Sequence, residues 1–384
     1  MAMDYHVKSS LYLVEIIMRL LFVIGSLNRG GAENQLILLG SGLIDLGYEV
    51  HVLALTGEGS LDGKATEKGI TVHYLDSKVL PKILRVTKLV GLIRELRPSV
   101  VHSYMPGANV AVSLLRVFFR DVPVVWGIRA STYGQFKINK KEKFFWWLQE
   151  KLFSKADLII CNSNAGKDYI IRKGCRHDLI RVVVNGVDSS RFFPEEKLGL
   201  QFRDENLDGF HGKVVGMLSR FDLLKGHEDF LHLAALLSEN FPSARYVIVG
   251  SHSNKNKEML LNLSNKLGIT KSVVILDDVE NPVAVLNGID VLVSTSRSEG
   301  FPNVILEAMA CGTPVVATDV GDTKQITGEL CPVFQVGELQ EMSNAIEEIF
   351  NRNFPSESEL SSYAINQFSV KKLVVETDIL LKEL

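Results

Sequence analysis

The stretch SRSEGFPNVILEAMACGTPVV, residues 296–316, sets two glutamates, Glu299 and Glu307, eight positions apart in a run of apolar and small side chains. Eight residues is a little over two helical turns, so an unbroken helix would carry both acids on one face. Gly300 and Pro302 rule that out. They predict a loop holding Glu299, a helix whose first turn is Pro302 or Asn303, and Glu307 about one turn inside it. Gly300, Phe301, Pro302, Asn303 and Val304 then build a helix end whose free N–H groups point out between two carboxylates. Such an end attracts anions. Read alone, the same residues also fit a solvated loop acid followed by a surface helix position, and the rest of the chain has to decide.

Outward from this stretch, short apolar runs alternate with longer amphipathic ones. LLFVIG (20–25), EVHVLAL (49–55), ITVHYL (70–75), VVHSY (100–104), PVVWGI (123–128), ADLIICNS (156–163) and RVVVNGV (181–187) come first. KVVGML, ARYVIVG, VVILDD, DVLVST and TPVVATD repeat the pattern after residue 212. Continuous apolar strands separated by helices predict parallel sheets covered on both faces. The fold class is α/β, with two doubly wound, Rossmann-like domains, as the 384-residue length also suggests. Residues 1–17 read as an extension outside the fold, 18–190 as the N-terminal domain and 191–212, polar and poor in periodicity, as a linker; 213–363 form the C-terminal domain and 364–384 a final helical segment. Ligands of open parallel sheets bind beyond the carboxyl ends of the strands, so two such domains face to face make a cleft.

The net charge of −3 hides an asymmetry: residues 1–190 hold 25 Lys and Arg against 17 Asp and Glu, or +8, and residues 191–384 hold 17 against 28, or −11. A basic first half faces something anionic, either nucleic acid or a membrane surface. Cys161, Cys175, Cys311 and Cys331 show no C-x-x-C pair and no histidine at ligand spacing, which fits small core residues in a reducing compartment. The apolar run 11–25 contains Glu15 and Arg19, so it reads neither as a membrane span nor as a signal peptide.

Two further segments carry chemistry. LNRGGAENQL (27–36) follows the first strand, and Gly30-Gly31 lets backbone approach a ligand, although a plain strand-to-helix turn fits equally and the spacing fails a dinucleotide fingerprint. VVGMLSRFDLLKGHEDFL (214–231) places Arg220 and Lys225 just after a strand, with Gly226 permitting the turn into a helix. Two cations at a strand's carboxyl end sit where a phosphate would lie; two surface cations are the simpler alternative.

Taken together, Arg220-x4-Lys225-Gly226, YVIVGS, the segment from Glu299 through TDVG, GGAE near the start and VVVNGVD before the linker resemble the retaining glycosyltransferases of family 4, with the GT-B fold, of bacterial polysaccharide and O-antigen type. The resemblance runs from about Met18 to the end. It implies a retaining hexosyltransferase whose donor is a nucleotide-sugar, a UDP-sugar before others. The segment from Gln367-Phe368-Ser369 onward is similar to the family's crossover helix, which returns to the N-terminal domain. By the same resemblance Glu307 holds the ribose hydroxyls, Glu299 holds hydroxyls of the transferred sugar, and Arg220, Lys225 and the helix end hold the diphosphate. A carboxylate is a double acceptor for a diol, and cations stabilise charge growing on a leaving diphosphate. No D-x-D occurs in the chain, so neither a divalent metal nor any other cofactor is expected.

Many family members carry a histidine after the strand here written PVVWGIRAST, where this chain has Arg129. Arginine is no general base at neutral pH, so Arg129 is expected to support the donor phosphate or orient an acceptor. His102, at the end of the preceding strand, fits either a place near the cleft or a buried structural role. Gly321-Asp322 stands where the family often has two glycines, and Asp322 is expected to cap the helix starting at Thr323 or Lys324. A chain that keeps the fold and binds a sugar nucleotide without transferring it is the second reading.

KINKKEKFFWWLQEKLFSK (137–155) holds six lysines, two glutamates and four consecutive aromatics. It reads either as a helix lying on an anionic membrane or as one packing Phe144, Trp147 and Leu148 onto its own domain. The basic stripe Lys82, Arg85 and Lys88 favours the membrane. Nucleic acid is excluded as a partner by the modest charge and the lack of a recognition fold. The expected setting is cytoplasmic and peripheral on the inner face of the membrane, with a glycan acceptor carried on a lipid or, as a variant, a soluble one.

Overall fold

The computed structural model describes residues 17–75, 82–129, 140–250, 253–277, 279, 281–351 and 354–384. The extension expected over residues 1–17 lies outside them except for Ile17.

Two sheets form, and every strand pairing is parallel. The first contains β1 (Arg19–Ile24), β2 (Glu49–Ala54), β3 (Thr71–Tyr74), β4 (Val100–Tyr104), β5 (Val124–Ile128), β6 (Leu158–Cys161) and β7 (Ile180–Val182), in the order β3-β2-β1-β4-β5-β6-β7. The second contains β8 (Val214–Leu218), β9 (Arg245–Val249), β10 (Val273–Leu276), β11 (Val291–Ser294), β12 (Val315–Thr318) and β13 (Val333–Phe334), in the order β10-β9-β8-β11-β12-β13. β13, two residues long, is too short to leave a sequence pattern. The central strands are buried along their whole length because helices cover both faces. In the first sheet Leu20, Phe22 and Ile24 pack under one helical layer, and Leu21 and Val23 under the other.

In each sheet the strand order reverses beside the first strand of the domain, between β1 and β4 and between β8 and β11. The loops leaving these strands flank a crevice. They carry Gly30 and Gly31, Arg220 and Lys225, and Glu299 to Pro302.

The segment expected as a linker is partly regular. Glu196–Asn206 is a helix packed against Pro282–Gly288, and Phe202 and Leu207 are buried in the second domain's core. Its polar outer face masked these two anchors. The chain then returns: the helix Glu357–Gln367 belongs to the second domain through Leu360 and Ala364, whereas Val370–Lys382 packs on the first-domain helix Gly31–Asp45 and buries Leu373, Val374 and Leu381 in that domain's core. The crossover therefore falls at Phe368–Ser369, inside the expected segment 364–384. It runs beside the earlier crossing, since the Val187 N–H donates to the Phe368 carbonyl at 2.7 Å and Val187 bridges Ser369. Gln35 holds this point from the first domain, donating to the Gly186 carbonyl at 2.8 Å and accepting from its N–H at 3.0 Å.

Asp322 ties the domains at the opposite side of the cleft. It precedes the helix Thr323–Thr327 but makes no side-chain cap there, so the expected role is not the one adopted. Its carboxylate instead accepts from the backbone N–H groups of Asn164, at 2.7 Å, and Ala165, at 2.9 Å, the first residues of the first-domain helix Asn164–Arg172. The helix end offers open donors and a positive dipole, which the buried carboxylate satisfies across the domain boundary. The Asn164 amide also donates to Gln325 Oε1 at 2.8 Å. Charge-assisted bonds of this kind contribute about 1.5–3 kcal/mol, so Asp322→Ala should shift the unliganded protein toward an open arrangement about tenfold. Small-angle scattering reads this as a larger radius of gyration than the parent's, with Asp322→Asn, which keeps one acceptor, in between; identical curves for all three would show that the contact does not hold the domains.

Candidate active site in the interdomain cleft

The helix Asn303–Ala310 is the centre of the site. Pro302 precedes it and contributes no N–H, and the Ile305 N–H is taken by the Pro302 carbonyl at 3.1 Å. The open amides at this end are those of Asn303 and Val304. Across the cleft lies Gly31, where a Cβ would stand 2.9 Å from Asn303 Nδ2. That close approach explains the small residue in the GGAE turn. Asn303 Oδ1 in turn accepts from Asn185 Nδ2 at 2.7 Å. Asn185 belongs to the quoted VVVNGVD motif, yet only the fold reveals that it meets Asn303. Phe301 does not join the site: its ring is buried in the second-domain core, with its centroid 5.8 Å from that of Phe368.

Lys225 and Glu299 arrive as one unit. Gly226, at φ +71°, turns the chain against the Thr295 carbonyl, which a Cβ would approach to 2.0 Å. This leaves Lys225 Nζ 2.6 Å from Glu299 Oε1, and the Ser296 hydroxyl donates to the same oxygen at 2.7 Å. The expected phosphate cation and the expected sugar-binding acid thus share a charge. Arg220 is held loosely, 76% exposed and 3.6 Å from Asp222 Oδ2. It also reaches electrostatically across the cleft to Glu33, whose carboxyl is raised by burial, with its own backbone N–H and Arg220 opposing.

Glu307 is half-buried, and its side chain makes no hydrogen bond among the described residues. Burial pushes its carboxyl up to about 7, with Arg191 and Lys64 opposing. A half-desolvated carboxyl with unspent acceptors, one turn into the helix, suits a diol. Among the described residues no three or more His, Cys, Asp or Glu side chains gather as a metal site would need.

On the first-domain wall Arg129 directly follows β5. It donates to the Tyr104 hydroxyl and to Asn185 Oδ1 at 3.3 Å, and its guanidinium lies over the Tyr104 ring, 4.3 Å from the centroid. His102 is wholly buried between Phe22 and Tyr104. Burial, reinforced by Arg129, holds it neutral well below the usual histidine range. Its place in the sheet gives it no direct access to the cleft, so of its two expected roles the structure favours the buried one.

Comparison with known proteins accounts for both halves of this arrangement. The sequence model of "Glycosyltransferase Family 4" matches residues 29–191, and that of "Glycosyl transferases group 1" matches residues 202–367. An uncharacterized glycosyltransferase of Methanocaldococcus jannaschii is 28% identical over 263 residues, 62% of this chain; the match spans 60% of that relative's length. The capsular polysaccharide biosynthesis glycosyltransferase CapM of Staphylococcus aureus is 24% identical over 79% of this chain and 80% of its own. Among solved structures, HepE of Anabaena in complex with UDP and glucose superposes with a TM-score of 0.84 at 23% identity, covering 96% of this chain and 100% of that one, a likeness of fold. With two parallel-sheet domains, each matched by its own model, and the cleft between them, this chain belongs to the glycosyltransferases of family 4 type and has the GT-B fold.

Proposed function

We propose that the protein transfers a hexosyl group from a nucleotide-sugar, a UDP-sugar, to a glycan acceptor with retention of configuration at the transferred carbon. The observation that carries this reading is the helix Asn303–Ala310 aimed across the cleft at Gly31, with Lys225–Glu299 on one side and Glu307 a turn inside. In this reading the open amides of Asn303 and Val304, Arg220 and Lys225 take the diphosphate, in place of a divalent metal. Glu307 takes the ribose diol and Glu299 the hydroxyls of the sugar. As the bond from the sugar to the diphosphate breaks, the acceptor oxygen bonds from the same face and its proton passes to the leaving phosphate. Because Lys225 is bound to Glu299, movement of charge onto the diphosphate is felt by the residue that orients the sugar.

The acceptor is a glycan carried on a lipid, in polysaccharide synthesis at the inner face of the cytoplasmic membrane. The likeness to CapM supports the pathway. The surface of the first domain supports the location. On the helix Lys140–Lys151, Trp146 is buried in the domain but Phe144 and Trp147 are turned outward. The neighbouring helix Met105–Leu115 and the turn after it add exposed Leu114, Val117 and Phe118. Five outward apolar side chains beside Lys140 and Lys143 suit a headgroup layer. Lys137 and the side chains of Lys82, Arg85 and Lys141 lie outside the described residues. Among the described residues no helix is long and apolar enough to cross a membrane.

Two measurements test this reading. Glu307→Gln should weaken UDP binding by about 1.5–3 kcal/mol, whereas Glu299→Ala should leave UDP affinity nearly intact and lower turnover. The ionised Glu307 is the better acceptor for the diol, so a carboxyl titrating near 7 makes the parent gain affinity relative to Glu307→Gln between about pH 6 and 8. Equal UDP losses in the two variants would contradict the assigned roles, and binding of a donor with no transfer to any acceptor would leave a sugar-nucleotide-binding protein.

Reversing Lys140, Lys141 and Lys143 to glutamate should release the protein from anionic vesicles. The parent should release as salt shortens the screening length from about 10 Å at 0.1 M to about 3 Å at 1 M. Cosedimentation of the triple variant equal to the parent's would point to a soluble acceptor.

A further inference from the structure

Arg129 carries a charge that no described residue matches. Of the five N–H groups of its guanidinium, Nη2 spends one on the Tyr104 hydroxyl and Nη1 one on Asn185 Oδ1, both neutral acceptors. Its Nε is buried and finds no acceptor among the described residues. No described Asp or Glu pairs with it, and ASTYGQFKIN, residues 130–139, which follow directly in the chain, contain no acid at all. Around it the shortage recurs. Both ring nitrogens of His102 and Asn162 Oδ1 are buried without partners among the described residues, and the Asn162 N–H pairs with the Ile128 carbonyl, which places that residue beside Arg129. Buried polar atoms are nearly always paired, and a half-buried cation without a counter-charge is among the most costly exceptions.

The position of this cluster says what is missing. Asn185 joins Arg129 to Asn303, the first residue of the helix whose open amides face the cleft. Arg129 therefore lies on the first-domain wall, two hydrogen bonds from the end assigned to the diphosphate. Its Nε edge is a planar fork with the geometry of a carboxylate or phosphate. A neutral hydroxyl there would leave the charge unmatched, which is how a site discriminates between substrates of the same size.

We propose that Arg129 is a specificity residue for an acidic glycosyl substrate, its Nε edge receiving a carboxylate or phosphate that the sugar or the acceptor carries in addition to the donor diphosphate. This inference rests on the donor-site reading above and deepens it.

The test compares the full-length parent, Arg129→Gln and Arg129→Lys. Calorimetry gives affinities for UDP, UDP-glucose and UDP-glucuronate, and turnover is followed on glycolipid acceptors with and without a phosphate on the glycan. If the sugar carries the acid, the parent prefers UDP-glucuronate to UDP-glucose by about tenfold or more. Arg129→Gln removes that preference with UDP affinity unchanged, and Arg129→Lys, which keeps the charge but loses the fork, retains part of it. If the acceptor carries it, the donors bind alike, and the same pattern appears as a preference for the phosphate-bearing glycolipid. Equal weakening of all three nucleotides in Arg129→Gln would overturn the proposal, because the anion is then the diphosphate. A parent that binds UDP but shows neither preference overturns it too, whatever the variants do. A parent that binds no UDP overturns the donor-site reading itself.

Discussion

A parallel strand cannot be followed directly by its neighbour; the chain has to cross back over the sheet, and so every loop that leaves a strand collects at the same edge. Both sheets of this protein are wholly parallel, and their loop-bearing edges face each other. That constraint explains why residues from position 31 to position 307 meet in one cleft. It also explains why the site is rich in helix beginnings, since each crossover helix starts at that edge with unsatisfied N–H groups. One such end meets Gly31 and another is closed by Asp322 from the opposite domain.

The electrostatics of the cleft follow from how these ends are shared. Second-domain charges are already engaged with each other, Lys225 with Glu299 and Arg220 loosely with Asp222. Burial holds back the ionisation of Glu307 in this domain and of Glu33 across the cleft in the first. On the first-domain wall Arg129 has only neutral acceptors among the described residues. The walls are therefore unequal: one is poised around internal ion pairs, and the other presents Arg129 without a counter-charge among the described residues. A ligand bridging them completes the second while rearranging the first.

Much of this was legible in the amino-acid order. Apolar runs marked twelve of the thirteen strands among the described residues, because a strand buried on both faces is predominantly apolar. Glu299 and Glu307 could be placed around a helix start because Gly300 and Pro302 leave no other local geometry. What depended on distant partners was not legible. Asp322 sits where a cap belongs, and nothing local says that it serves a helix more than 150 positions away. Phe301 adjoins site residues in sequence, yet alternation at the helix start turns it into the core. The helix Glu196–Asn206 was hidden because only a few of its positions are anchored. The exposure of Leu114, Val117 and Phe118 depends on how the helix Met105–Leu115 packs, which no local pattern states.

The return of the chain to its first domain has a consequence for how the protein is made. The helix Val370–Lys382 supplies Leu373, Val374 and Leu381 to a core whose other members lie between residues 18 and 183, and Tyr48 donates to Asp378 at 2.7 Å. During synthesis the ribosome delivers these residues only after the whole of the second domain. The first domain must wait with an uncovered face on Gly31–Asp45 while the second is translated, and the cleft acquires its final shape only when this helix docks. A nascent chain that already contains every proposed donor-binding residue is therefore not yet folded, so assembly of the site is timed by the arrival of the helix Val370–Lys382.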